Sequence, residues 1–363
     1  MAATISPTVG ISAIATYEPP WVLGNDWFDG MLPRKFVEHS GIVSRHISSE
    51  DEVTMGLRAV ENLHKETGCD LDNCAAVVFV ASSLVSTSVA RKHLNREQVL
   101  CECTHRAAKQ FIDKLGIPTT RVFSINWGCS GYSRAMAIVH RFIVPTLTLG
   151  QEQFVLLVTV NRTSKIVDFG CKQTAPVFGD MAQATLLAGI ESKRHPVRFD
   201  LVHAAAENQP TNGVFFDFHL GENVVSPTPD GGRCTSPERL VFSLNMMGIA
   251  DAAPRAMADA TTKALQTTGI PPEEVDFVIP HQAGAGIVKL TALTLDRIGV
   301  RGEVINGVTR EVGNVSSSSI PYALKQNWNR LKGTIVCPTA GVGRPGRAQV
   351  SQGCIVLRSR EAA

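Results

Sequence analysis

The sequence predicts an α/β protein made of two duplicated halves, residues 1–195 and 196–363, because two pairs of segments repeat in the same order. Residues 67–83 match residues 268–284 at an offset of 268 − 67 = 201, and each is a helix-ending Thr-Gly, an acidic turn and an apolar strand. Residues 112–126 match residues 295–308, and each is a helix tail, a glycine cap and a strand. Short apolar runs match by chance, but two matches in one order indicate a duplication.

Further strands complete each half. Apolar runs follow at residues 153–160 and 183–190 in the first half, and at 334–339 and 353–359 in the second. A duplicated α/β unit places equivalent loops face to face, and α/β proteins bind ligands at the carboxyl ends of their strands. We therefore expect one ligand crevice between the halves.

The stretch at residues 122–142 predicts a reactive cysteine. An apolar run reaches Gly128 and Cys129, and small residues then open an amphipathic pattern, which is typical of a buried strand followed by a helix. At a helix start, free amides and the helix dipole lower the pKa of a thiol. A buried cysteine acting as a small apolar residue is the alternative, and the flanking glycines, Gly128 and Gly131, favour the reactive one.

Two further residues are expected in the same crevice. His281 ends the strand that matches residues 74–81, and the alignment places Asn314 opposite Cys129 at the second helix start. A cysteine can attack a carbonyl and form a thioester, and neutral His and Asn can donate hydrogen bonds to an enolate oxygen. Taken alone, His281 would more simply be a structural histidine, and Asn314 a turn residue. Convergence with Cys129 favours a catalytic set.

Composition excludes several other classes of protein. A formal net charge of +2 gives no strong attraction to nucleic acid, and no apolar run approaches the length that a membrane span needs. Nine scattered cysteines are typical of a reducing compartment, so we expect a cytoplasmic protein. Cys101, Cys103 and His105 resemble metal ligands, but without a second cluster we favour a helix surface and expect no metal and no cofactor.

The motifs around Cys129, His281 and Asn314 resemble those of a known family. GCSGYS at Cys129, PHQAG at His281 and GNVSSSSIPYAL at Asn314 look like the thiolase superfamily, and most like β-ketoacyl-ACP synthase III. HSGIVSRHIS, TMGLRAVENL and FGDMAQATLLAG resemble further segments of that family. The resemblance covers nearly the whole chain. It implies a five-layered αβαβα thiolase fold, usually homodimeric, with a pantetheine tunnel leading to the cysteine.

The resemblance also implies a ping-pong reaction. Cys129 would take an acyl group from acyl-CoA, and His281 and Asn314 would promote decarboxylation of a malonyl thioester carried by CoA or by acyl carrier protein. The oxyanion donors would be the amide of Cys129 and an amide of the glycine-rich loop, with Gly343 as the donor and Gly341 beside the substrate.

The chain departs from the family pattern at several positions. Gly284 replaces an asparagine of the typical HQAN, and Lys35 stands where a tryptophan usually stacks on the CoA adenine. Arg34 and Lys35 would instead meet CoA phosphates or an acidic carrier protein, or form a solvated charged face. The charged segment 86–111 and the loop 339–353 are longer than usual. These departures favour a specialised fatty-acid, polyketide or secondary-metabolite pathway.

Three functions remain open on the sequence. The first is decarboxylative condensation, the second is acyl transfer from Cys129 to an alcohol or amine, and the third is a non-catalytic partner subunit. Relatives that condense without decarboxylation use a glutamate base, and the next acid after residue 83 is Glu97, well inside the charged segment, which favours decarboxylation. His281 must stay neutral to donate, so we expect activity to fall at low pH, within the range of about 5 to 8.

Overall fold

The structure is a computed structural model that describes residues 8–28, 30–83, 95–119, 121–147 and 149–360. Residues 86–94 of the charged segment therefore lie outside the described residues. The α-helices are α1 Phe36–Ser40, α2 Glu52–Thr67, α3 Arg96–Leu115, α4 Gly131–Ile138, α5 Met246–Thr268, α6 Ala285–Asp296 and α7 Ser319–Gln326. The strands are β1 Val9–Tyr17, β2 Trp21–Gly24, β3 Ser44–Ile47, β4 Cys74–Ala81, β5 Val122–Ile125, β6 Phe154–Arg162, β7 Asp180–Gly189, β8 Phe199–Pro210, β9 Phe216–Pro227, β10 Arg233–Leu244, β11 Phe277–Val278, β12 Glu303–Val304, β13 Thr334–Gly341 and β14 Gln349–Ser359.

Ten strands form one mixed sheet whose two halves have the same strand order. The order is β12-β11-β13-β14-β8-β1-β7-β6-β4-β5, so that equivalent strands lie at equal distances from the central β1–β8 pair. The two repeats of the first predicted pair become β4 and β11, and those of the second become β5 and β12. Both helix-ending Thr-Gly motifs end a helix, with Gly68 and Gly269 as left-handed C-caps. The predicted duplication is confirmed.

The halves stack into five layers. α4 contacts β4, β5 and β6 of the first half as well as β8 and β14 of the second, so it lies between them, and α7 also lies in this middle layer. α2 and α3 cover the outer face of the first half, while α5 covers that of the second and packs against α6. β4 is apolar on both faces because Val78 and Val80 face the middle layer and Val77 and Phe79 face α2 and α3. The predicted thiolase-type layering is confirmed.

A long hairpin that the sequence analysis did not anticipate joins β8 to α5. β9 and β10 pair antiparallel from Phe216 opposite Leu244 to Pro227 opposite Arg233. Its inner side chains pack with Phe169 and Phe178 in a separate aromatic cluster. The hairpin therefore brings an aromatic wall close to the predicted crevice. Within the described ranges, no helix combines the length and apolar character that crossing a bilayer requires.

Candidate active site

Cys129 lies on the predicted turn between a strand and a helix, but the strand is a half-buried edge strand and not a buried one, since only Ile125 of its four residues is buried. β5 ends at Ile125, a 3₁₀ turn carries Cys129, and α4 starts at Gly131. Gly128 has φ 50°, which favours glycine. A Cβ at Gly131 would lie 2.8 Å from Val80 Cγ1, so a glycine is needed for the helix to approach β4 this closely. The two flanking glycines thus serve the turn and the packing that present Cys129.

The second helix start corrects one predicted equivalence. α7 begins at Ser319 after a 3₁₀ turn, Ser316–Ser318, that matches the turn Gly128–Ser130 before α4. Ser316 has φ 51°, as Gly128 has 50°. Counting back from each helix, Cys129 therefore matches Ser317 and not Asn314. The predicted alignment was wrong by three residues because Asn314 precedes the turn.

The charge state of Cys129 also differs from the expectation. Its Sγ accepts a hydrogen bond from Ser316 Oγ at 3.6 Å, which lowers the thiol pKa. Burial acts in the opposite direction and is the larger effect, so the pKa of the Cys129 thiol is raised above its ordinary value. The predicted net lowering of this pKa was wrong.

His281 is buried directly after β11. Its backbone amide donates to Pro338 O of β13 at 2.8 Å, and its Nδ1 lies 2.7 Å from Ser319 Oγ. Burial lowers the pKa of His281 to about 4, so the ring is neutral from pH 8 down to about 5. The predicted loss of activity within pH 5 to 8 is therefore placed too high, since protonation begins below that range.

Asn314 is held by a backbone bridge to the Phe178 segment. Its amide donates to Val177 O at 2.8 Å, and its carbonyl accepts from the amide of Gly179 at 3.2 Å. Its side-chain Oδ1 accepts from the amide of Ser316 at 2.9 Å. This bond fixes the side-chain amide and leaves Nδ2 as the group available to donate to a ligand.

Beneath this bridge lies a buried arginine from the HSGIVSRHIS motif. Arg45 is fully buried, and its Nη2 donates to Pro176 O at 2.6 Å and to Asn25 Oδ1 at 2.7 Å. Its Nη1 donates to Leu23 O at 3.1 Å. Burial lowers the pKa of Arg45 to about 10, which leaves it charged at neutral pH. Arg45 thus supports the loop against which Asn314 is positioned.

Two cavities meet at Cys129. The first, here the Cys-His-Asn cavity, is lined by Cys129, His281, Asn314 and Gly341, with apolar walls from α5 and α6. The second, here the aromatic cavity, is lined by Cys129 and Gly343 and by an apolar set that consists of Leu100, Ile166, Phe178, Phe216, Phe218, Phe242 and Val342. The three residues predicted to converge do converge. Phe178 and Val342 line both cavities, so the two spaces are neighbours.

Of the other residues predicted for the site, Gly341 lies beside Cys129, whereas Gly284, Arg34 and Lys35 line neither cavity. A Cβ at Gly341 would lie 3.3 Å from the amide nitrogen of Cys129, so Gly341 packs directly on the thiol turn. Gly284 caps α6 beside Ser40, and its neighbours Ala283 and Ile287, not Gly284 itself, line the Cys-His-Asn cavity. Arg34 and Lys35 are exposed, and neither is among the described residues that line the two cavities.

Glu97 lies in a place that the sequence argument did not expect. The first turn of α3, which lies within the charged segment, puts Glu97 on the wall of the aromatic cavity, where Arg344 Nη1 lies 3.0 Å from its carboxylate. A glutamate is therefore present near Cys129, but an arginine engages it. On the same helix Cys101 lines the cavity and Cys103 packs into the core, so the two do not share a face as metal ligands would. In the described part of the chain no cluster of three or more potential metal ligands occurs.

Sequence reasoning missed a buried polar group behind the thiol. The hydroxyls of Ser316, Ser317, Ser318 and Ser319 all point to polar partners in or beside the site, and Ser82 and Asn161 extend the group. A run of four serines between two apolar segments is a signal that could have been noticed, because buried hydroxyls need partners. The aromatic wall had a weaker signal in the alternating apolar residues of β9 and β10.

Comparison with known proteins gives one consistent family. Residues 123–203 match the family described as 3-oxoacyl-[acyl-carrier-protein (ACP)] synthase III, and residues 265–350 match its C-terminal part. A β-ketoacyl-[acyl-carrier-protein] synthase III of Sulfurovum sp. is 26% identical over 332 residues, which covers 88% of each chain.

Solved structures agree on the fold. The 3-oxoacyl-(acyl carrier protein) synthase III of Pseudomonas aeruginosa superposes with a TM-score of 0.70 at 21% identity, over 98% of this chain and 99% of the other. A priming β-ketosynthase from a polyketide biosynthetic pathway superposes with a TM-score of 0.71 at 18% identity, over 98% of both chains. At these identities the superpositions establish the shared fold.

Proposed function

We propose that this chain, which is similar to the 3-oxoacyl-ACP synthase III family of the thiolase superfamily, loads an acyl group from acyl-CoA onto Cys129 and condenses it with a malonyl thioester. The malonyl group would be carried by CoA or by acyl carrier protein. The observation that carries this proposal is the convergence of Cys129, His281 and Asn314 on one cavity wall. A nucleophile and two neutral donors are the groups that the two half-reactions need.

In the first half-reaction the thiol becomes an acyl thioester. Cys129 Sγ attacks the acyl-CoA carbonyl and loses its proton to the neutral imidazole of His281. The carbon–sulfur bond to CoA then breaks, and the CoA thiolate leaves with that proton. The amides of Cys129 and Gly343 are the proposed donors to the tetrahedral oxyanion, with Gly341 keeping the turn close.

In the second half-reaction carbon dioxide leaves the malonyl thioester. The electron pair of the broken carbon–carbon bond moves into the thioester enolate, whose oxygen accepts hydrogen bonds from His281 and from Asn314 Nδ2. The carbanion attacks the acyl carbonyl, a new carbon–carbon bond forms, and Cys129 leaves as thiolate. Burial keeps His281 neutral, which suits a donor that must not carry a permanent charge.

The aromatic cavity is the proposed acyl site. Its walls carry four phenylalanines, Phe178, Phe216, Phe218 and Phe242, while its charged lining residues, Glu97 and Arg344, are paired with each other. Such a lining favours an apolar acyl group. Because Arg344 engages Glu97, the only acid on this described lining is not a free base, which supports decarboxylation over deprotonation.

Further parts of the proposal concern partners and location. Arg34 and Lys35 would meet CoA phosphates or an acidic carrier protein, because they are exposed just before α1, which packs on α6 near the cavity wall.

A homodimer is supported by β5, an edge strand of the sheet that is paired on one side only among the described residues. None of the nine cysteines forms a disulfide, which supports a cytoplasmic location. The chemistry needs no prosthetic group, and the departures at Lys35, Gly284 and the charged segment support a specialised pathway.

The test is intact-protein mass after incubation with a panel of acyl-CoAs, and then with malonyl-CoA. We expect a mass gain in the wild type that Cys129→Ala abolishes. Cys234→Ala is the matched control, because that free thiol is exposed and lines neither cavity, and it should acylate normally. Release of the acyl group by malonyl-CoA with CO₂ would support condensation. Release only by an alcohol or amine would replace condensation with acyl transfer.

A further inference from the structure

The buried serine run Ser316–Ser319 contacts each residue of the proposed catalytic set. Ser316 Oγ lies 3.6 Å from Cys129 Sγ, and the Ser316 amide holds the side chain of Asn314. At the other end of the run, Ser319 Oγ lies 2.7 Å from His281 Nδ1. All four serines are nearly inaccessible to solvent. The run is thus a buried polar support for the site.

We propose that Ser316 is a catalytic residue whose hydroxyl donates to the sulfur of Cys129 and stabilises the thiolate that attacks and later leaves. This inference rests on the proposed role of Cys129 as the nucleophile. Ser316 qualifies because its hydroxyl touches the reacting atom.

A hydroxyl chain behind Ser316 lets this bond follow the charge on sulfur. Ser82 Oγ lies 3.1 Å from Ser316 Oγ and is also hydrogen-bonded to Asn161 Oδ1. Each hydroxyl carries one hydrogen, so Ser82 donates either to Ser316 or to Asn161. When Ser82 donates to Ser316 it gives up its bond to Asn161 Oδ1, which still accepts from Ser317 Oγ at 3.3 Å, and the Ser316 hydrogen is free to point at the Cys129 thiolate. When Ser82 donates to Asn161, Ser316 can donate to Ser82 and accept from the neutral thiol.

The backbone of Ser316 supports a role for its side chain. Ser316 has φ 51°, a left-handed conformation that costs a non-glycine residue free energy. The equivalent position before α4 has the same conformation, with φ 50°, and carries Gly128. Glycine would fit both turns without strain, so the second turn keeps a side chain at a conformational cost. The contact that this side chain makes with Cys129 is what glycine would lose.

Burial of the Cys129 sulfur explains why its thiolate needs the hydrogen bond from the Ser316 hydroxyl. Taking Cys129 out of water favours the neutral thiol, and a hydrogen bond to the charged sulfur offsets part of that cost. Without Ser316 Oγ the backbone amide of Cys129 remains as the donor to this sulfur. The thiolate fraction at neutral pH should therefore fall when the hydroxyl is removed.

The experiment follows alkylation of Cys129 by iodoacetamide between pH 6 and 10 in Ser316→Gly and Ser316→Ala, with Cys129→Ala as the blank for other thiols. Ser316→Gly removes the whole hydroxymethyl side chain but suits the left-handed backbone, so the variant should fold, and Ser316→Ala removes the hydroxyl alone. We expect the apparent pKa of Cys129 to rise by about one unit and alkylation at pH 7.5 to slow by about tenfold in both variants.

Ser130→Ala is the matched control. Ser130 is a buried serine next to Cys129, but its hydroxyl donates to Ser351 O at 3.2 Å, away from the sulfur. This control should alkylate within twofold of the wild type. A wild-type alkylation profile in folded Ser316→Gly would overturn the inference, and so would an equal shift in Ser130→Ala. Alkylation needs no acyl donor, so failure of acyl loading with an intact Ser316 dependence would count against the proposed function alone.

Discussion

Substitution of Gly179 tests whether the backbone bridge positions Asn314 for decarboxylation. A Cβ at Gly179 would lie 2.0 Å from Val312 O, whereas ordinary van der Waals contact begins at 3.4 Å. The two loops of Gly179→Ala must therefore separate by 1.4 Å. Val312 lies two residues before Asn314, so the side-chain amide moves with its loop. A misplacement of about 1 Å can cost on the order of 100-fold in rate, and overpacking costs about 1–3 kcal/mol in stability.

The assay separates the two half-reactions. Cys129 lies on neither of these loops but on the turn Gly128–Ser130, so acyl loading followed by intact mass should stay within a few-fold of wild type in Gly179→Ala, while CO₂ release from malonyl-CoA falls by about 100-fold. Gly213→Ala is the control, because a Cβ there meets no atom within 4 Å. If folded Gly179→Ala releases CO₂ at the wild-type rate, the positioning argument is refuted. Equal losses in both half-reactions would indicate general damage instead.

Two further predictions concern pH and stability. Because the pKa of His281 is about 4, the condensation rate should be flat from pH 8 to about 5 and fall below pH 5. The histidine of the unfolded chain, with its ordinary pKa of 6.5, binds the proton more readily, so the stability of the fold also decreases between pH 6.5 and 4. Circular dichroism at each pH must therefore show that the protein is still folded. An acid limb near pH 6.5 would contradict this. Arg45→Met removes hydrogen bonds to buried carbonyls at Leu23 and Pro176 and should cost about 3–5 kcal/mol in urea unfolding, whereas the half-exposed Arg58→Met should leave the midpoint unchanged. A midpoint for Arg45→Met equal to that of Arg58→Met would show that Arg45 does not support the loop.

The features that depend on residues close together in the sequence were predicted correctly: the turn that carries Cys129, the duplicated strands and the position of His281. The strand, glycine and helix pattern around Cys129 gave the correct turn, because positive φ and close helix packing both select glycine there. The repeat of helix caps and apolar strands gave the duplicated sheet, because strand order follows the repeated connection. His281 followed from its place at the end of a strand.

The rest depended on contacts between distant segments. The hydrogen bond from Ser316 to Cys129 joins residues 187 positions apart, and its sequence signal is only a polar run. Glu97 reaches the cavity because it lies in the first turn of α3, whose 20 residues run from the cavity wall to the connection with β5, a placement that no local pattern encodes. The net pKa of Cys129 was mispredicted for the same reason, since the helix start is local whereas burial is the sum of many distant neighbours.

The duplicated turns explain how one backbone geometry can serve two different roles. The turns before α4 and α7 share a positive φ at their first residue, Gly128 in one and Ser316 in the other. In the first turn the next residue is the thiol, and glycine leaves space beside it. In the second turn the equivalent first position points its hydroxyl at that thiol across the interface between the halves. The first turn then supplies the nucleophile Cys129, and the second supplies the hydroxyl of Ser316 that donates a hydrogen bond to it. The difference between glycine and serine at one equivalent position thus gives the two halves different catalytic roles.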